Sequence, residues 1–174
     1  MKKIIAFILF GLFLITGCSG SSQPIPASEA FNTKSIWMRT RDLPELDKDF
    51  NITEMFVFEG DGTFTIYEWP GLSFSDINEM TDDEMIDYLD NSGIDGVNLP
   101  VELILYTDNT GNNAESERLW VNDAIRYYIE LVPAEIQTIY DSNYAGYYGL
   151  WTKVDSNHPG FTIDDINTEG IEID

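Results

Sequence analysis

Cysteine, histidine and basic residues are scarce in this chain. Cys18 is the only thiol and His158 the only imidazole among 174 residues. One cysteine closes no intrachain disulfide and builds no thiolate metal site, so the fold must stand on its core. One histidine rules out a multi-histidine zinc cluster. A Ser-His-Asp arrangement would have to use His158, which lies in the loop-like stretch Asp155-Ser156-Asn157-His158-Pro159-Gly160. No Gly-x-Ser-x-Gly elbow exists to partner it, and a solvated loop histidine is the simpler reading. Lysine and arginine number nine against 31 aspartates and glutamates, a formal charge of −22. Such a surface repels phosphate backbones and anionic headgroups, which points away from nucleic acid and from electrostatic attachment to a membrane. No glycine-rich phosphate motif is present. A glycosidase-type carboxylate pair carries no signal, because among 31 acidic residues some pair always lies at a suitable distance.

The chain also lacks an apolar run long enough to span a bilayer, which takes about 20 residues. Ile4 to Ile15 is almost wholly apolar, follows Lys2-Lys3, and ends in Ile15-Thr16-Gly17-Cys18. A charged start, a short apolar run and a small-residue end have the form of a signal peptide. The stretch resembles the signal and lipobox of bacterial lipoproteins, in which an aliphatic residue and two small residues precede a cysteine that is lipidated. The resemblance implies a signal peptide over 1–17, a diacylglycerol-bearing Cys18 as the new N-terminus, and a lipid anchor on the extracytoplasmic face of the cell membrane. An ordinary secretory signal is the alternative. Cleavage would leave 157 residues, within the usual size of one domain, and a charge of −24, since Lys2 and Lys3 depart. The lipid would then be the sole membrane attachment, and no other cofactor is expected.

Residues 18–34 read as the lipidated N-terminus and a linker, flexible at Ser19-Gly20-Ser21-Ser22 and stiffened by Pro24 and Pro26. A single extracytoplasmic domain is expected over 35–174. Ser35 to Thr40 alternates as a strand does. Ile52 to Glu59 and Thr63 to Trp69 are rich in strand formers, and Gly60-Asp61-Gly62 lies between them. With Asp61-Gly62 as a two-residue loop, Val57 faces Ile66 and Phe56 faces Tyr67. One face then carries Met55, Val57, Phe64 and Ile66, and the other Phe56, Phe58, Tyr67 and Trp69. A hairpin apolar on both faces is covered on both. A candidate cover follows. Thr81-Asp82-Asp83-Glu84 is a capping box, Met80 and Met85 sit at staple positions, and the spacing predicts a helix over 82–91. Helix-end electrostatics accounts for the acidic cluster Asp82-Asp83-Glu84.

Beyond Pro100 the alternation returns. Val101, Leu103 and Leu105 share one side, and Glu117 to Val121 leads back after turn chemistry at 108–113, with Trp120 opposite Leu119 and Val121. Residues 125–132 and 135–140 are further strand candidates, the second with a short helix after Pro133 as alternative. Short strands are expected at 149–154, 161–163 and 170–173. About nine short strands and one helix predict a mainly β domain, a sandwich or small barrel. The alternative is an α+β fold with a single sheet and the helix packed across it.

Two places invite a site. Asp108, Asn112 and Glu115, with Asn109 and Asn113, offer hard oxygen ligands for calcium in one loop, though the spacing is not that of an EF-hand and turn formation also explains it. The run Ile139 to Trp151 sets Tyr144, Tyr147, Tyr148 and Trp151 among glycines and small residues. Exposed, these rings would contact an extracellular protein or carbohydrate; alternation would instead send half of them into the core.

Residues 35–69 and 139–174 resemble parts of uncharacterised surface lipoproteins of Gram-positive bacteria. The resemblance rests on Trp37, Phe58-Glu59-Gly60-Asp61-Gly62-Thr63, the run from Ile139 to Tyr147, Gly160-Phe161-Thr162-Ile163-Asp164 and Thr168-Glu169-Gly170-Ile171-Glu172-Ile173-Asp174. It implies a cell-surface location and brings no activity or site residues. The expectation is a lipid-anchored, non-enzymatic ligand- or protein-binding domain. The alternatives are a structural accessory of an envelope complex and a carboxylate-based hydrolase.

Overall fold

The strands between Ser35 and Glu68 are apolar on both faces, and the fold covers both. A computed structural model describes residues 23–40, 46–122 and 127–174. Cys18, the lipobox and the signal segment lie outside the described residues. In chain order the elements are β1 (Ile25–Pro26), α1 (Ala27–Phe31), β2 (Ser35–Arg39), β3 (Glu54–Phe58), β4 (Thr63–Glu68), α2 (Phe74–Ile77) and α3 (Asp82–Asn91). They continue as β5 (Val97–Pro100), β6 (Glu102–Thr107), β7 (Ala114–Asn122), β8 (Tyr127–Glu130), β9 (Pro133–Ile139), β10 (Ser142–Tyr147), β11 (Leu150–Val154), β12 (Phe161–Thr162) and β13 (Glu172–Ile173). Seven strands form one sheet in the order β5-β4-β3-β2-β11-β10-β9, and four form a second in the order β13-β6-β7-β8. β1 and β12 pair in parallel as a third, two-stranded piece.

The large sheet is the middle layer. On one face Trp37, Phe56, Phe58, Phe64, Tyr147 and Leu150 meet Leu119, Val121, Ile129 and Leu131 of the smaller sheet. On the other, Met38, Met55, Val57, Tyr144 and Trp151 pack under Phe74, Ile77, Met85 and Leu89 of the two helices. The protein is therefore mainly β. Two sheets stack as expected for a sandwich, and the helices add the layer expected of an α+β fold. Among the described residues the large sheet keeps two edges, β5 and β9, so no barrel closes. The helix at 82–91 forms with its capping box: Thr81 Oγ1 accepts the Glu84 N–H at 3.3 Å, and Glu84 Oε2 accepts the Thr81 N–H at 2.8 Å. β9 is a strand and not a helix after Pro133. It lies at the sheet edge, where a residue without an N–H is tolerated.

Two expectations need correction. The β3–β4 loop holds three residues, Gly60 (φ +76°), Asp61 and Gly62 (φ +87°), because the Glu59 N–H already bonds Thr63 O at 3.1 Å. Phe56 consequently pairs with Ile66, and Val57 with Thr65. A one-residue shift exchanges faces on one partner strand. Phe56, Phe58, Phe64 and Ile66 thus share the sheet–sheet core, Met55, Val57 and Tyr67 face the helices, and Trp69 is exposed. The second correction concerns the linker, which does not extend to residue 34. Ala27, Ala30 and Phe31 sit at i, i+3 and i+4 of α1 and are buried against the first core. A five-residue helix is too short for that periodicity to stand out in the sequence.

Candidate binding face

The smaller sheet is shaped by its β6–β7 turn. Asp108 Oδ1 accepts from Thr110 N at 3.0 Å, Thr110 Oγ1 at 2.7 Å and Asn112 N at 3.3 Å, and Oδ2 accepts from Asn113 Nδ2 at 2.7 Å. These bonds hold the carboxyl well below the usual carboxylate range. The loop thus spends its carboxylate on its own turn. Asn112 donates its side-chain amide to Thr110 O. Glu115 is the exposed residue left unpaired at the bulge between Tyr106 and Thr107. No group of three His, Cys, Asp or Glu placed to hold a metal occurs among the described residues.

The turn fixes the register, which pairs Ile104 with Arg118, Arg118 with Glu130 and Trp120 with both Glu102 and Tyr128. Leu105, Leu119 and Ile129 go inward, and Tyr106, Arg118, Trp120 and Tyr128 go outward. An uncovered antiparallel face is ordinarily polar. Here the Arg118 guanidinium carbon lies 4.5 Å from the Tyr106 ring centre and 4.3 Å from that of Tyr128. The Trp120 ring stands 5.4 Å from Tyr128. Such stacking fixes a cation on the face of rings and gives four large side chains one arrangement. Glu102 and Glu130 flank them, both exposed.

The face runs into a groove of about 410 Å³ lined by Tyr128, Glu130, Val132, Tyr148 and Arg39. Behind it Tyr127 Oη donates to Glu54 Oε2. Burial pushes Glu54 up, while the Tyr127 bond and the Arg39 charge oppose the shift. Burial, then the Glu54 bond, pushes Tyr127 up. These groups tie the end of the smaller sheet to the large one. Of the four rings singled out in the sequence, only Tyr148 reaches this surface, at 37% exposure. Tyr144, Tyr147 and Trp151 are fully buried and make no contact surface. Alternation along β10 sends Tyr144 against Phe74 on the helix side, ring centres 5.1 Å apart, and Tyr147 against Trp37 in the sheet–sheet core at 6.1 Å. Tyr106, Arg118, Trp120 and Tyr128 had a signal, large side chains at every second position of a hairpin, but it is readable only once the inner face is assigned.

A second cavity, of about 300 Å³, lies beside α1 and is lined by Ile25, Ala30, Trp37, His158 and Phe161 among others. His158 Nδ1 accepts the Gly160 N–H at 3.0 Å and its ring packs on Phe161 at 4.6 Å. Burial lowers its proton affinity, against the pull of Asp155. One nitrogen is committed to shaping its own loop. No known family, curated protein or solved structure matches the chain.

Proposed function

We propose that the chain is a lipid-anchored, extracytoplasmic binding domain that holds a protein partner on the outer face of its smaller sheet. Tyr106, Arg118, Trp120 and Tyr128 carry this reading. Tryptophan, tyrosine and arginine are the residues that dominate binding energy at protein interfaces, and here they stand together on the outer face of the smaller sheet, Tyr128 exposed and Tyr106, Arg118 and Trp120 half-buried. Glu102 and Glu130 at the margin and a charge of −24 after cleavage favour a partner with basic groups around an apolar centre. Association with such a partner slows as salt rises. The reading assigns no catalytic residue, and Cys18 carries the diacylglycerol that keeps the domain at the membrane. The lipobox motif supports that anchor, since two acyl chains hold stably where one does not.

The test is a photocrosslinking amino acid placed in turn at Tyr106, Trp120 and Tyr128 in bacteria that display the protein, with Ile136 as control site. A discrete adduct from the three positions, lost in Arg118→Glu, is expected. Adducts at Ile136 alone would remove the face as the contact. For the anchor, Cys18→Ala protein should appear in the medium or remain unprocessed. Membrane-bound Cys18→Ala protein of normal mature size would refute lipidation.

A further inference from the structure

An isolated polar cluster lies inside the domain, beneath α1. Glu117 points inward from β7 and has no exposed surface; Asp164, just past β12, is 2% exposed. Glu117 Oε2 accepts the Asp164 N–H at 2.9 Å. Its Oε1 meets no hydrogen-bond donor among the described residues. Asp164 accepts the Ser28 N–H at 2.8 Å and the Ser28 Oγ–H at 2.6 Å, one on each oxygen. The Asp164 side chain lies near enough for its charge to act on the Glu117 carboxyl. The other titratable group facing them is Tyr147 of β10, whose Oη donates to Thr162 O at 3.0 Å. β6 brings Leu105 opposite Glu117, α1 brings Ser28, and Leu131 donates its N–H to Glu117 O. No cation acts on Glu117 among the described residues.

Two neighbouring carboxylates sealed from water do not both carry charge. The proton belongs on Glu117, because both Asp164 oxygens already accept from Ser28. Protonated, Glu117 leaves no buried charge on its orphan oxygen. Burial above all pushes the Glu117 carboxyl up to about 8; the Asp164 charge adds to this and the Asp164 N–H opposes it.

We propose that the Glu117–Asp164 pair is a proton-operated latch that holds β1 and α1 against the body of the domain. Asp164 is the link. It grips α1 through Ser28 and β7 through Glu117, whereas β1 has a short ladder among the described residues, Ile25–Phe161 and Pro26–Thr162 with the Ile25 N–H on Gly160 O. When Glu117 loses its proton to water, a second negative charge stands in the sealed site. The charges separate by releasing the segment that Asp164 holds. In the open state Glu117 titrates near its ordinary 4.5, so opening releases one proton between there and about 8. The open fraction therefore rises up to about tenfold per pH unit across that window and levels above it.

The test is amide hydrogen exchange of residues 27–31 in the whole protein from pH 5 to 9, corrected for intrinsic base catalysis. Protection should fall by up to about tenfold per unit and level off above pH 8. In Glu117→Gln the side chain is neutral at every pH, and protection should stay flat. In parallel, carbon NMR of the wild-type carboxyls should find one glutamate titrating between pH 7 and 9. Flat protection in the wild type, an unchanged slope in Glu117→Gln, or a Glu117 carboxyl titrating below pH 6 would each overturn the latch. Should Glu117→Gln not fold, the wild-type slope and titration decide the matter. None of these readouts involves a partner, so their failure leaves the binding face standing.

Discussion

Phe31 tests whether the stretch that reads as linker belongs to the core. Its side chain has no exposed surface, stacks on Phe58 with ring centres 4.7 Å apart, and meets Trp37 edge-on at 5.0 Å. Phe31→Ala empties the space between α1 and the large sheet. Removal of a buried phenylalanine costs about 3–5 kcal/mol, as lost transfer energy plus an unfilled cavity. Aromatic pairing accounts for roughly 0.5–1.5 kcal/mol per contact within that loss. Against a total of about 5–15 kcal/mol this is a large share. For a domain of about 150 residues it lowers Tm by roughly 6–20 °C. Urea unfolding followed by tryptophan fluorescence measures it, with Lys34→Ala, an exposed neighbour, expected within about 0.5 kcal/mol of the parent. A loss below about 1 kcal/mol for Phe31→Ala would refute the packing of α1 and return residues 25–31 to the tether.

Gly146→Ala should be harsher than its size suggests. The backbone there has φ +155°, and a Cβ would fall 2.2 Å from Leu150 O, so β10 or β11 must shift; roughly 2–4 kcal/mol should be lost in urea titrations. Thr81→Ala removes the cap of α3 and should cost about 1 kcal/mol, with Thr81→Ser restoring most of it. Global stability should also fall with pH. Folded Glu117 holds its proton to about 8, whereas unfolded it loses it near 4.5, so the stabilisation is complete below 4.5 and is lost as pH rises to 8. The slope is at most about 1.4 kcal/mol per unit. His158 acts oppositely: its lowered value gives stabilisation that is present above 6.5 and lost as pH falls. Melting scans between pH 6.5 and 8 therefore keep His158 out of the slope, and a Tm that is level or rising there contradicts the protonation of Glu117.

Local chemistry explains what was legible in the chain. Thr81 and Glu84 satisfy each other's backbone whatever surrounds them, so α3 could be placed to the residue. Ser73 and Asp76 form the same box on the four-residue α2, where it had no apolar periodicity to announce. The β6–β7 hairpin was legible because the turn chemistry of residues 108–113 separates two strand-forming runs that carry Leu103, Leu105, Leu119 and Val121 at every second position. The β3–β4 hairpin was legible as a hairpin but not in register, since both of its faces are apolar. No pattern of polarity there distinguishes a two-residue loop from a three-residue one, and the Glu59–Thr63 bond decides it.

The same ambiguity governs the site. In a sequence, an aromatic ring weighs equally toward core and toward contact surface, and only the number of layers separates the two. The run from Tyr144 to Trp151 lies in the middle layer, so its rings fill cores on both sides and only the turn residue Tyr148 escapes. Trp120 and Tyr128 lie in the outer layer, so the same alternation leaves Tyr128 exposed and Trp120 half-buried on the outer face. The most aromatic stretch is thus the least available to a partner. The outward rings come from strands whose inner faces are filled by leucine, isoleucine, valine and the Tyr127 ring, with one acidic exception: Glu117. That exception interrupts an apolar stripe in β7 at the point where Asp164 arrives, and nothing in the local pattern accounts for it. A carboxyl kept there at the cost of desolvation makes sense only in contact with a group brought from far along the chain.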